Sequence, residues 1–190
     1  MLKNTRLKSR LTKVFPFFGG VVLSTATMLV GAEFSNFSSI SNSVPNSSII
    51  LSSKPVNAAS EVAAMEKSVH QQINQYRKKK GLAPLKINNQ VSKIARQHSK
   101  NMANKQVSFG HSGSSSRYSK IAKIIKYRGV AENVAYNMGY ENPGKNAVTG
   151  WIKSTGHRRN IEGKYQVTGI GIAKNSRGEY YFTQLFVRQR

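Results

Sequence analysis

The chain has 190 residues, 30 Lys and Arg against 7 Glu, a net charge of +23, and no cysteine. The length suits one domain with appendages, and the missing cysteines exclude a disulfide-stapled scaffold, so the fold must rest on apolar packing. The charge favours anionic polymers, nucleic acid or membrane surfaces as partners, or serves as a solvated basic face.

Lys3, Arg6, Lys8, Arg10 and Lys13 precede an apolar run from Val14 to Val30, and Gly31 and Ala32 follow. This layout predicts a secretory signal peptide over residues 1–32, or a membrane anchor if the run is kept. Either way the remainder is expected outside the cytoplasm, secreted to the periplasm or beyond. Past residue 32 the chain keeps 25 Lys and Arg against 7 Glu, a net of +18. An exported protein of that charge is expected to meet anionic envelope polymers or lipid, and nucleic acid is the least expected partner. Residues 33–59 are rich in Ser and Asn and read as a linker, with a second small-residue processing point at Val56-Asn57-Ala58-Ala59. A domain over residues 60–190 is expected to follow.

Val62, Met65, Val69, Ile73 and Tyr76 recur at helical spacing, with Glu61 and Glu66 early and Arg77 to Lys80 late, matching the helix dipole. Gly81 ends that helix and Pro84 bars its continuation. Asn88 or Asn89 caps a second helix with the stripe Val91, Ile94, Ala95, His98 and Met102. His98 is expected in the core, bonded to a backbone group. His111 follows Phe109-Gly110, and a Ser/Gly-rich stretch from Ser112 to Ser116 reads as loop. A third helix is expected from about Arg117 to Tyr127, stopped by Gly129, and Glu132-Asn133 is expected to open a strand. Asn142-Pro143 starts a fourth helix with Ala147, Val148, Trp151 and Ile152 inward.

The period then changes. Val167 to Ala173 alternates Gly with branched residues, and Tyr180 to Val187 is aromatic and branched, with Asn175-Ser176-Arg177-Gly178 between them. That pattern predicts a hairpin. Helices first and antiparallel strands last make an α+β domain.

With these pieces laid out, the chain from about Val69 to Phe186 resembles the CAP superfamily of cysteine-rich secretory, antigen 5 and pathogenesis-related proteins, in its bacterial SCP-domain form. The resemblance is carried by Ile73-Asn74-Gln75-Tyr76-Arg77, Ala95-Arg96-Gln97-His98-Ser99, Gly110-His111, Glu132-Asn133-Val134-Ala135, Trp151 through Asn160, Gly169-Ile170-Gly171 and Thr183-Gln184-Leu185-Phe186. It implies an α-β-α sandwich with a small central antiparallel sheet and a cleft holding two histidines and two acids. His111, Glu132 and His157 match three of these four positions. The eukaryotic pattern places a glutamate three residues after the helix-four tryptophan, and here that residue is Ser154.

Two imidazoles and a carboxylate suit zinc, so His111, Glu132 and His157 form a candidate Zn²⁺ set; alternatively these groups hydrogen-bond one another and pin loops to the sheet. Ser154, His157 and Glu132 also read as a serine-histidine-acid set, although nothing like a nucleophile elbow surrounds Ser154. Lys153, Arg158 and Arg159 form a candidate basic rim, and Tyr136, Tyr140, Tyr180 and Tyr181 are candidates for stacking surface or core. The leading functional expectation is a secreted binding module for a lipid, sterol or anionic glycan. The alternatives are a metal-dependent hydrolase of peptide or cell wall, and a polyanion binder acting by charge alone.

Overall fold

The computed structural model describes residues 58–190, so the signal-peptide reading and nearly all of the linker lie outside the described residues. Nine elements follow in order: α1 (Ala58–Lys79), β1 (Lys86–Ile87), α2 (Asn89–Ala103), α3 (Ser114–Ala122), β2 (Tyr127–Asn137), α4 (Pro143–Lys153), α5 (Thr155–Glu162), β3 (Val167–Lys174) and β4 (Tyr180–Gln189). The helix α1 takes in residues 58 and 59, expected in the linker. Among the described residues no helix is long and apolar enough to cross a membrane.

The strands form one sheet in the order β1-β3-β4-β2. The β3–β4 and β2–β4 pairs are antiparallel, and the two-residue β1 joins β3 in parallel. Side chains alternate across a strand, and both faces of this sheet are apolar. Ile170, Ile172, Phe182 and Phe186 face Val69 and Ile73 of α1, Val148 and Trp151 of α4 and Ile161 of α5. Val167, Leu185 and Val187 face Val91 and Ala95 of α2 and Ile121 of α3. The result is the helix-sheet-helix sandwich that the resemblance implies.

Glycine sets the spacing of one layer. A Cβ on Gly169 would lie 2.4 Å from the Val91 carbonyl carbon, and one on Gly171 would lie 2.0 Å from the Arg96 backbone nitrogen. The helix α2 therefore rests directly on the backbone of β3. The alternating Gly-Ile-Gly-Ile run puts glycine on the α2 side and branched residues on the α1 side. The caps agree with the expected chemistry: Asn88 Oδ1 accepts from the Gln90 and Val91 amides at 3.0 Å each, and Asn142 Oδ1 accepts from the Lys145 amide at 2.9 Å ahead of Pro143.

The third helix departs from expectation. It starts at Ser114, inside the expected loop, and ends at Ala122; Gly129 lies within β2, where a register shift separates Tyr127 from Gly129. The reason is pairing. Tyr127 and Val130 align with Gln189 and Val187 of β4, and the strand claims residues whose apolar pattern also suits a helix end. Helix α5 and strand β1 were not legible either, because both are short.

Candidate functional site

The strand β2 carries the acid. Glu132 lies opposite Leu185 and Asn133 opposite Gln184, so Glu132 points into the α2/α3 layer and Asn133 into the α1/α4/α5 layer. The Glu132 side chain is 1% exposed. A carboxylate so buried needs partners, and two residues answer it with three hydrogen bonds. Arg117 Nε donates to Oε2 at 2.6 Å and its Nη2 to Oε1 at 2.7 Å. His111 Nδ1 lies 2.8 Å from Oε1. The carboxylate only accepts, so Nδ1 carries the proton and Nε2 is the free nitrogen of a half-exposed ring. Burial alone would raise the Glu132 pKa, but the hydrogen bonds from His111 and Arg117 and the Arg117 charge outweigh it, and the group is held below the usual glutamate range.

Arg117 extends the network. Nη1 donates to the Ser112 carbonyl at 2.8 Å and contacts His98 Nδ1 at 3.1 Å, and Nη2 reaches the His111 carbonyl at 3.4 Å. His98 Nε2 lies 2.9 Å from the Gly110 carbonyl, which requires the proton on Nε2 and leaves Nδ1 to accept from Arg117. His98 is thus the buried, backbone-bonded histidine that the helical stripe predicts. Burial first, and then the Arg117 charge, push its pKa down, against the pull of the Gly110 carbonyl and Glu132. The loop from Gly110 to Gly113 is tied to the sheet through this chain of bonds.

The second histidine comes from α5. The Asn133 amide donates to the His157 carbonyl at 3.1 Å, and Asn160 Nδ2 donates to Asn133 Oδ1 at 2.9 Å and reaches the Glu132 carbonyl at 3.4 Å. Trp151 Nε1 donates to the Val134 carbonyl at 2.9 Å. These groups satisfy the outer edge of β2, which would otherwise present unpaired carbonyls, and they seat α5 beside the acid. His157 is half-buried; burial lowers its pKa, and the nearby His111 adds to the effect. Among the described residues no side chain hydrogen-bonds its ring.

His111 bonds Glu132 directly and its charge acts on His157, while the other expected site residues sort themselves out differently. Ser154 is the joint between α4 and α5; its hydroxyl makes no cap bond, and among the described residues no hydrogen bond links it to His157 or Glu132. In the expected rim, Arg158 Nη1 donates to the Ile152 carbonyl at 2.9 Å and closes the end of α4, while Lys153 and Arg159 stay exposed. Tyr180 and Tyr181 are buried, whereas Tyr136 and Tyr140 are exposed, with Tyr136 beside Phe109. Arg117, Asn133 and Asn160 were not singled out as site residues. A signal for Arg117 existed: it precedes Ile121 by four residues and Ile124 by seven, which puts it on the inward face of its helix.

The candidate zinc set does not fit this geometry. Both Glu132 oxygens are taken by Arg117, and one is shared with the His111 proton. Among the described residues no group of three or more His, Cys, Asp or Glu side chains is placed to hold a metal ion. The arrangement of Glu132, Arg117 and His111 is a hydrogen-bonded pin.

The profile of the cysteine-rich secretory protein family, CAP, matches residues 70–186. The chain belongs to the CAP family. It does so without a single cysteine. Among relatives, this CAP chain is 35% identical over 134 residues to the uncharacterized protein YkwD of Bacillus subtilis (strain 168), covering 69% of this chain and 50% of that protein. A solved extracellular protein containing an SCP domain from Bacillus anthracis superposes with a TM-score of 0.60 at 23% identity, over 72% of this chain and 44% of that one. A cysteine-rich secretory protein from Staphylococcus aureus gives 0.54 at 25% identity, over 68% and 40%. The chain thus spans about half the length of these proteins or less. The structures share the CAP fold with it.

Proposed function

We propose that this CAP domain is an extracellular binding module whose cleft, floored by the Glu132–Arg117 pair and edged by His111 and His157, takes an anionic component of the cell envelope, a lipid headgroup or acidic glycan. The observation that carries this reading is the saturation of Glu132 by Arg117. A metal-dependent hydrolytic cleft built on Glu132 needs that carboxylate free to hold the ion or take a proton from its water, and here it is committed to a guanidinium instead. His111 offers a half-exposed imidazole and His157 a half-buried one, and α4 and α5 add the exposed cations Lys153 and Arg159 in a domain of strongly positive charge. The signal-like N-terminus supports placement outside the cell, and the Bacillus anthracis protein of the same fold is described as extracellular.

Co-sedimentation with anionic and zwitterionic vesicles, and with an acidic glycan, over a salt series tests the reading. Binding to the anionic partners that weakens as salt rises is expected, with further loss in the His157→Ala and Lys153→Glu/Arg159→Glu variants. Equal binding to zwitterionic vesicles at all salt concentrations, or no binding at all, sinks it.

A further inference from the structure

A second concavity has Arg117 and His98 in its lining. It is a cavity of about 540 Å³ between α2 and α3, within the range of small-molecule sites. The helix α2 turns Gln90, Ile94, Gln97 and Asn101 toward it, positions spaced by four, three and four residues and therefore on one face. The helix α3 and the residues after it supply Ser116, Lys120 and Ile124.

We propose that this cavity is a binding site for a small amphipathic organic anion, with its charged head between Lys93 and Lys120 and its apolar body against Ile94, Val107 and Ile124. Three observations carry the assignment. The lining contains no acidic residue, while both lysines belong to it. Neither lysine forms an ion pair among the described residues, so both charges are available to a ligand. Ile94 and Ile124 are only half-buried and keep apolar surface that a ligand body would remove from water.

The floor of the cavity defines what it selects. Arg117 and His98 line it, yet the hydrogen-bonding atoms of Arg117 are spent on Glu132, His98 and the two loop carbonyls. The floor therefore offers ring and guanidinium surface rather than free donors, and the head of the ligand is held at the rim. A neutral compound of the same shape loses the lysine contacts and binds more weakly.

Fluorescence titration of the full chain with 1-anilinonaphthalene-8-sulfonate, an aromatic amphipathic anion, tests this, with hexyl phosphate, hexanoate and hexanol as competitors. Saturable binding is expected, displaced by hexyl phosphate or hexanoate and at least about tenfold less well by hexanol. Whichever acid competes better identifies a phosphate or carboxylate head. Lys93→Ala/Lys120→Ala should weaken binding at least about tenfold with the far-UV circular dichroism unchanged, and Ile94→Ser should also weaken it, whereas Lys78→Ala/Lys79→Ala on α1 should leave it intact because neither residue lines the cavity. Absence of saturable binding, displacement by hexanol equal to that by the acids, full affinity in the Lys93→Ala/Lys120→Ala variant, or loss of binding in Lys78→Ala/Lys79→Ala overturns the assignment.

Discussion

Arg117 grips Glu132 from the side, Nε to Oε2 at 2.6 Å and Nη2 to Oε1 at 2.7 Å, and both side chains are almost wholly buried. The pair joins α3 to β2 and, through its other bonds, holds the loop that carries His111.

Removing one partner of a buried pair strands the other, so Arg117→Met is expected to destabilise the domain by about 3–5 kcal/mol. Arg117→Lys should recover little, because an ammonium cannot reproduce the two-pronged contact. The double variant Arg117→Met/Glu132→Leu should recover most of the loss. Urea denaturation of the three variants measures it, and a double variant no more stable than Arg117→Met would show that the pair is not the source of the effect.

Acidification should destabilise the protein in two stages. His98 and His157 have pKa values lowered by burial, so below about 6.5, the ordinary histidine value, the unfolded chain binds protons that the folded one refuses. Stability is lost from there downward. Glu132 is lowered as well, by its hydrogen bonds in spite of burial, and its contribution is present above about 4.3 and lost as pH falls further. Denaturation midpoints between neutral pH and 3 report both stages; His98→Gln should flatten the first, and an unchanged profile in that variant would assign the first stage elsewhere.

Two glycines predict opposite outcomes. Gly171→Ala forces a Cβ to within 2.0 Å of the Arg96 nitrogen and is expected to cost about 3 kcal/mol or more. Gly150, inside α4, has nothing within 4 Å of an added Cβ, and Gly150→Ala should stabilise by about 1 kcal/mol through helix propensity. Thermal melts of the two variants should therefore shift in opposite directions; shifts of the same sign would refute the packing account.

Chelation should leave the unfolding midpoint of the purified protein unchanged, because Arg117 occupies the carboxylate that a three-ligand zinc site would need. Added Zn²⁺ should raise the midpoint of Arg117→Met more than that of the wild type, since the variant frees Glu132. A midpoint that falls when the wild type is treated with chelator would show that Glu132 serves a metal after all.

Much of the architecture was legible because it follows from local periodicity. The stripe from Val62 to Tyr76, the cap at Asn88, the Asn142-Pro143 start and the Gly-rich hairpin are each specified by neighbours a few residues apart. The end of the third helix was misplaced because Tyr127, three residues after Ile124, suits a helical stripe as well as a strand, and only its alignment with Gln189 of β4 decides between them.

The site divides the same way. The residues of the sequence by themselves determined the family pattern, the departure from it at Ser154 and the backbone-bonded role of His98. Only the tertiary structure decided what Glu132 does, since its partner Arg117 lies 15 residues away on a different element and the choice between a metal ligand and an ion-paired pin rests on which cation reaches the carboxylate. Local sequence carries no such distance. A buried charge takes whichever partner the packed layers bring within hydrogen-bond range, and here those layers bring a guanidinium.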